Sequence, residues 1–331
     1  RVQSGISRYA SSSLCLIKHP LWRRAAVPTT ISKLYADWGT TNLRAYALNE
    51  SGSVVTQRES ALGVRGLAQE DFPDTFDRVF GAWRSVEALP TLLSGMIGSR
   101  MGWIEAPYVP CPATMDDIVR SLVVVPDRDK LRIVPGVSID NGPAHRDVMR
   151  GAEVQVFGAL SLAETGSATL CLPGTHSKWV EAEDHTIHSF RTAMTGELFD
   201  LLSRYSTLAA AGKESDPADS AAFDQGYALA ASPGGLLNHL FSVRANALFA
   251  TLAPDQIRAY LSGILIGHEL ADLGASRLRP DVPILLVGDR PLSKLYSAAM
   301  DRAGLDHRLI DCEQAVIRGL DMVFAGTDWE A

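Results

Sequence analysis

The sequence predicts an α/β protein built as two lobes around a cleft. Three observations carry that expectation. Residues 34–48 read as an apolar strand, a Gly39-Thr40 turn and a second strand, with Asp37 near the end of the first strand. The same plan returns near the middle of the chain, where residues 169–172 lead through Pro173-Gly174-Thr175-His176 into residues 177–181. Further on, residues 283–287 form a short apolar run that ends in Gly288-Asp289 ahead of a helix, as a strand of a buried parallel sheet would. A chain of 331 residues is long enough for two domains.

Composition narrows the function classes. Hydrophobic residues make up 46% and charged residues 21%, the balance of a globular protein. The net charge is −7 with no basic block, which argues against nucleic acid and anionic membrane as partners. Cys15, Cys111, Cys171 and Cys312 are scattered without C-x-x-C spacing. They are expected as free thiols in a reducing compartment, the cytoplasm. No run approaches the roughly 18 apolar residues of a membrane span. Residues 1–33 stand apart: they carry six basic residues and several serines, and the first acid in the chain is Asp37. That is the composition of a transit peptide. A start placed too far upstream accounts for it as well and is the preferred reading, with the core beginning near Lys33.

Taken in order, the first turn is the most informative. A glycine at position 39 permits a tight bend, and Thr40, Thr41 and Asn42 present hydroxyls, an amide and consecutive backbone N–H groups. Such donors beside a carboxylate suit a phosphate with its metal, Asp37 taking the Mg²⁺ side. Residues 74–85 place Phe76, Val79, Phe80 and Trp83 at helical spacing, so these aromatics are expected in the core. Residues 91–94 are a short buried strand ending in the glycine-rich run 95–103, where Ser99, Arg100 and Trp103 are candidates for contact with a small anion. Residues 106–113 are too proline-rich for a helix. Short helix and strand follow at 116–122 and 131–137.

Residues 147–164 are expected to form one helix, with Asp147, Arg150 and Glu153 sharing a side of its first turns. A general base needs a rigid seat of that kind, and Arg150 suits bidentate recognition of a substrate carboxylate. Thr195 is expected to cap a helix that buries Leu198, Leu201 and Leu202, and to offer an anion seat at its N-terminus. Residues 211–220 read as a polar loop, and 221–231 and 236–250 as helices. Residues 255–275 read as a long helix whose Gly263 and Gly267, four apart, imply close approach of a backbone or of an adenine. Strand–glycine–helix at Gly288 fits a nucleotide's base or ribose, and residues 307–310 and 313–325 complete the chain as strand and helix.

Two strand–turn–strand units able to grip one polyphosphate follow the logic of the sugar kinase, actin and Hsp70 superfamily, and a closer resemblance is carried by a series of motifs. These are Asp37-Trp38-Gly39-Thr40-Thr41-Asn42-Leu43-Arg44, Gly95-Met96-Ile97-Gly98-Ser99, Gly102-Trp103 with Ala106-Pro107-Tyr108, and Val148-Met149-Arg150-Gly151. Pro173-Gly174-Thr175-His176 with Lys178-Trp179-Val180, Met194-Thr195-Gly196-Glu197-Leu198 and Leu261-Ser262-Gly263 with Leu265-Ile266-Gly267 continue the series. In this order they resemble the 2-dehydro-3-deoxygalactonokinases over nearly the whole chain apart from the first 33 residues.

The resemblance implies two ribonuclease-H-like lobes of the actin-like ATPase fold, at 34–165 and 166–331, with a central nucleotide cleft. It implies ATP and Mg²⁺ as cofactors, a 2-keto-3-deoxy sugar acid as substrate, and phosphorylation of the C6 hydroxyl of 2-dehydro-3-deoxy-D-galactonate in galactonate catabolism. It places Gly39, Thr40, Thr41, Asn42, Gly174, Thr175, His176, Gly263 and Gly288 on the ATP side. Ser99, Trp103, Tyr108, Arg150 and Thr195 fall on the substrate side. The family commonly carries two adjacent glutamates after the Arg-Gly pair, where this chain has Ala152-Glu153. Glu153 is therefore expected as the proton acceptor, with Asp147 the alternative. Another sugar or sugar-acid kinase stays open, as does a homodimer, and Ala152 keeps open a non-catalytic member that binds the sugar acid.

Overall fold

In the computed structural model, the described residues are 31–84, 88–142, 145–208, 221–273, 279 and 281–330. The basic N-terminal stretch up to residue 30, Cys15 and the expected loop at 211–220 lie outside them.

The first half of the chain runs β1 (Lys33–Trp38), β2 (Leu43–Leu48), β3 (Val54–Ser60), α1 (Asp71–Arg84), β4 (Thr91–Ser94), β5 (Tyr108–Pro110) and β6 (Ala113–Thr114). It continues through α2 (Met115–Arg120), β7 (Val123–Val124), β8 (Leu131–Ile133), β9 (Gly136–Asp140), β10 (Arg146–Met149) and α3 (Ala152–Leu162). The second half runs β11 (Ala168–Leu172), β12 (Ser177–Glu183), β13 (Thr186–Ala193), α4 (Thr195–Tyr205), α5 (Ala221–Leu229), α6 (Gly235–Leu248) and α7 (Ile257–Leu273). It ends with β14 (Ile284–Gly288), α8 (Arg290–Arg302), β15 (His307–Asp311) and α9 (Cys312–Gly326).

The two large sheets repeat one design. The first has the order β3-β2-β1-β4-β8-β7, with β1, β2 and β3 antiparallel and β1, β4 and β8 parallel. The second has the order β15-β14-β11-β12-β13-β6, with β11, β12 and β13 antiparallel and β11, β14 and β15 parallel. Each lobe is thus a ribonuclease-H-like sheet, three strands of meander followed by two parallel strands. The β1–β2 turn and the β11–β12 turn occupy equivalent places in the two copies. A small third sheet, β10-β9-β5, is interleaved with them along the chain.

Local sequence explains most elements. In α1, Phe72, Phe76, Val79, Phe80 and Trp83 are buried, one stripe of a 3.6-residue repeat. In β11 every side chain is buried, as befits the centre of a covered sheet. The α8 and α9 helices start from Asp289 and Asp311, whose side chains accept from the Leu292 and Gln314 amides.

The expected helix over 147–164 is the clearest departure. Residues 146–149 form β10, paired with β9 from Arg146↔Asp140 to Met149↔Val137. Gly151 then turns at φ 89°, a left-handed value that favours glycine, and the helix opens only at Ala152. Asp147, Arg150 and Glu153 therefore share no helix face. A second correction concerns α4. Its N-cap is Met194, and Leu201 is exposed while Leu198 and Leu202 are half-buried.

The lobes are joined by α3 and α9. An ideal Cβ on Gly158 would lie 1.9 Å from the Ala315 carbonyl oxygen, and one on Gly319 would lie 1.9 Å from that of Val154. The two backbones can approach this closely only because both positions lack a side chain. Asp321 of α9 also accepts from Lys33 Nζ (2.5 Å) and from the Tyr35 hydroxyl (2.6 Å), pinning the C-terminal helix to β1. Among the described residues no helix is long and apolar enough to cross a membrane, and Cys111, Cys171 and Cys312 are free.

This packing yields a paired test. Gly319→Ala should destabilise the protein by about 1–3 kcal/mol in urea denaturation, because the methyl group has nowhere to go. Gly81→Ala, in α1 with nothing within 4 Å of the new Cβ, should stabilise it by roughly 0.5–1 kcal/mol through helix propensity. An unchanged midpoint for Gly319→Ala would show that α3 and α9 are not in this contact.

Candidate active site

A cavity of about 380 Å³ opens between the two sheets. Asp37, Gly39 and Thr40 line it from the first lobe, and Pro173, Gly174 and His176 from the second. The two equivalent turns thus face one space. Tyr108, Arg150 and Ala152 form the wall between them.

The glycines in the two turns are not there for the fold's sake. A Cβ on Gly174 would meet nothing within 4 Å, and one on Gly39 only the Asn42 carbonyl oxygen at 3.5 Å, an ordinary contact. The tight bend expected of Gly39 is therefore not what requires glycine. What the missing side chains leave is room at the cavity wall for a molecule to approach the backbone. The carbonyls of Gly39, Thr40 and Thr41 are engaged by the amides of Val64, Arg65 and Gly63, each at 3.0 Å. That turns the loop's acceptors toward residues 63–65 and leaves the Thr40 and Thr41 amides for a ligand. On the other side, Gly196 fixes the second turn. A Cβ there would sit 2.3 Å from the Gly174 carbonyl oxygen, so α4 packs its first turn directly on that loop. Glu197 adds a backbone bond to the Thr175 carbonyl (2.9 Å), and its carboxylate meets His176 Nε2 at 2.5 Å.

A polar cluster lies at and beneath the wall. Asp37 is half-buried, and burial holds its carboxyl above the usual carboxylate range against the opposing pull of Arg44. Arg150 stacks on the Tyr108 ring at 4.3 Å and donates to the Ala106 carbonyl at 2.7 Å. Its Nε and Nη1 are buried without a partner among the described residues. Glu153 is fully buried, with Oε1 accepting the Gly151 amide at 2.9 Å and Oε2 unpartnered. Burial pushes its carboxyl up to about 7. Ser94, which pairs with Asp37 across β1 and β4, has a buried hydroxyl without a partner as well. Buried polar groups are nearly always satisfied, so unused capacity concentrated beside one cavity points to a ligand.

The other expected site residues fall elsewhere. Thr41 and Asn42 are exposed on the first turn and Thr175 on the second, outside the cavity wall. Gly288 borders a second cavity of about 590 Å³ that Ser293, Ser297 and Asp311 also line. A Cβ on Gly288 would lie 3.7 Å from Pro173, so a residue lining the second cavity neighbours one lining the first. Gly263 is buried in α7, where a Cβ would lie 2.2 Å from the Phe223 carbonyl oxygen of α5. Close approach of a backbone, and not of an adenine, accounts for it. Thr195 is buried with its hydroxyl on Glu269. Trp103 packs on Phe76 at 5.6 Å, and the Ser99 hydroxyl accepts the Met101 amide at 3.3 Å. These three lie outside the cavity wall. Asp147 lines a neighbouring polar groove, not the cavity itself.

Sequence reasoning gave no role to Gln155 or Lys178 at the wall, and reached Gly95 only as part of a glycine-rich run. Gly95 (φ 95°) faces Asp37 Oδ1, 3.2 Å from where its Cβ would be. Lys178 stood inside a quoted motif, but nothing in the alternation of β12 shows which face meets the cleft.

The chain matches the 2-keto-3-deoxy-galactonokinase family over residues 37–323. It is 36% identical over 284 residues to the 2-dehydro-3-deoxygalactonokinase of Escherichia coli (strain K12), covering 86% of this chain and 94% of that protein. It is 40% identical over 288 residues to DgoK1 of Rhizobium meliloti (strain 1021), which bears the same enzyme name, again covering 86% and 94%. A crystal structure from Sinorhizobium meliloti, described as a 2-dehydro-3-deoxygalactonokinase protein, superposes with a TM-score of 0.82 at 39% identity, covering 88% of this chain and 97% of that one. With a match of this extent and a shared fold, the chain belongs to the 2-keto-3-deoxy-galactonokinase family.

Proposed function

We propose that the protein transfers the γ-phosphoryl group of ATP to the C6 hydroxyl of 2-dehydro-3-deoxy-D-galactonate, in the breakdown of galactonate. The observation that carries this is the pair of equivalent turns lining one cavity, each with a glycine that the fold itself does not demand. The family and the relatives named above supply the substrate.

The residues divide by chemistry. The Gly39–Thr40 and Gly174–His176 turns offer backbone amides to the polyphosphate from opposite sides. Base and ribose fit the second cavity beside Gly288. Arg150, with two unpartnered nitrogens and a plane fixed by Tyr108, suits the carboxylate of the sugar acid. Asp37 fits Mg²⁺: it is a carboxylate at the wall whose charged form burial disfavours. Among the described residues no group of three acidic, His or Cys side chains gathers to hold a metal alone. The remaining ligands would be phosphate oxygens and water, the usual arrangement for this ion. Bound Mg²⁺ supplies charge neutralisation on the phosphate oxygens. Glu153 takes the hydroxyl proton: its Oε2 is unpartnered and its raised affinity for protons lies near neutrality, where a general base works best. Asp147 is the weaker choice, because the Thr192 hydroxyl and the Val148 amide already engage its Oδ1. We read the lobes as 34–165 and 166–331, with α9 returning to brace the first.

Ala152 favours a second reading. It lines the cavity where the family commonly carries a glutamate, so a protein that binds the sugar acid without turnover is the alternative. Calorimetry separates the two: binding without ADP release in the presence of Mg²⁺ and ATP supports the alternative.

Two outcomes test the main reading. The purified chain should release ADP on 2-dehydro-3-deoxygalactonate in a coupled assay, and Asp37→Ala should abolish turnover while melting no lower than the parent. Near-normal kcat in that variant removes Asp37 from the mechanism.

Glu153→Gln should separate activity from stability. Folding raises the carboxyl's pKa to about 7. The stability it contributes is therefore fully present below the unfolded value and is lost as pH rises through about 7. Gln cannot ionise. The variant should be more stable than the parent at pH 8, on the order of 2–3 kcal/mol, and should match it near pH 4.5. Its kcat should fall by about 10²–10⁴-fold, and parental activity should decline as pH drops below about 7. A variant that is active, or no more stable at pH 8, contradicts the assignment.

A further inference from the structure

Strand β12 leaves the second turn and carries alternating side chains to opposite faces. Ser177 and Trp179 point into the second lobe, where the Ser177 hydroxyl meets the Tyr296 hydroxyl at 2.7 Å and Trp179 Nε1 donates to Glu269 at 2.8 Å. Lys178, between them, emerges on the other face and lines the cavity. It is only 8% exposed. Its Nζ donates to Thr192 Oγ1 at 2.8 Å, and Thr192 Oγ1 donates to Asp147 Oδ1 at 2.7 Å. The direction of this relay is forced. The single hydroxyl proton of Thr192 goes to a carboxylate, so its lone pair must accept from the lysine.

Thr192 is the one hydrogen-bond partner of Nζ among the described residues. An ammonium has three donors, so two remain for the cavity. Burial lowers its pKa, while the charges of Asp147 and Glu153 act to hold it protonated. A buried cation without a direct ion pair is costly and is retained where something needs it. Arg150 already offers the planar fork suited to a carboxylate, whereas an ammonium is a point charge able to follow a group that changes shape.

We propose that Lys178 is a further catalytic residue, its ammonium, oriented by Thr192 and Asp147, holding the phosphoryl group as it passes from nucleotide to acceptor. This rests on the kinase reading above. In the step, the acceptor oxygen bonds to the γ-phosphorus as the bond from that phosphorus to the β–γ bridging oxygen breaks. ADP leaves with the electron pair, the acceptor's proton goes to Glu153, and Lys178 keeps all its protons. Lys178 and Thr192 are paired neighbours on β12 and β13, and Asp147 of β10 fixes the Thr192 hydroxyl that orients the ammonium.

The test compares the parent with Lys178→Met, Lys178→Arg and Thr192→Val. Lys178→Met should lower kcat by about 10²–10³-fold, the scale of a lost transition-state donor. Both KM values should stay within about threefold, because the contact forms chiefly in the transition state. Lys178→Arg should recover at least about tenfold of the loss by keeping the charge. Thr192→Val, which keeps the lysine, should cost about tenfold in kcat and covers the case in which Lys178→Met does not fold. ADP with aluminium fluoride, a mimic of the phosphoryl group in flight, should bind the parent far more tightly than ADP alone, and Lys178→Met should lose that difference. This last readout assumes no particular sugar, so it stands even if 2-dehydro-3-deoxygalactonate proves to be the wrong acceptor. Lys178→Met with near-parental kcat, a raised KM for the sugar acid alone, or intact aluminium fluoride binding would each overturn the proposal.

Discussion

How closely α3 and α9 can approach decides where the two lobes meet. Gly158 and Gly319 let each helix backbone touch the other's carbonyls, at Ala315 and Val154. Asp321 ties the same α9 to Lys33 and Tyr35 of β1. Because α3 is held there, its first turn arrives at the cavity with Gly151, Ala152 and Gln155 at the wall and Glu153 just behind it. A side chain at either glycine would force the helices apart, and the turns at Gly39 and Gly174 would then no longer share one space.

The cleft inverts the charge of the molecule around it. The chain carries a net −7, yet the wall presents Arg150 with unpartnered nitrogens and Lys178 with a single hydrogen-bond partner among the described residues. The two acids near them, Asp37 and Glu153, are pushed by burial toward their neutral forms. An anionic ligand with its own cation would ease both conditions at once: the basic groups gain partners and the acids gain positive charge nearby. This is why an acidic protein can hold a polyanion, with local backbone amides and two placed cations outweighing a diffuse surface charge.

Much of the architecture could be read from residue order alone because it rests on local signals. The strand–turn–strand units at Gly39 and Gly174, the apolar β14 and the aromatic stripe of α1 each declare themselves within about a dozen residues. What escaped depends on contacts between distant segments. Residues 147–149 carry no alternation that distinguishes strand from helix, and only pairing with β9 and the left-handed turn at Gly151 make them β10. Gly263 and Gly267 left backbone and adenine both open, and at Gly263 it is the Phe223 backbone that comes close. Thr195, expected as a helix cap, is instead the first residue of α4, and its hydroxyl goes to Glu269, 74 residues away. Lys178 could not be singled out, since the face of β12 that meets the cleft is set by the other lobe.

The central claim is that both turns engage one nucleotide together. Backbone hydrogen exchange at residues 39–42 and 174–176, followed as Mg²⁺ and a non-hydrolysable ATP analogue are added, tests it most directly. The account predicts that amides in both turns slow over the same range of nucleotide concentration. Protection confined to one turn, with the other unchanged at saturation, would contradict it.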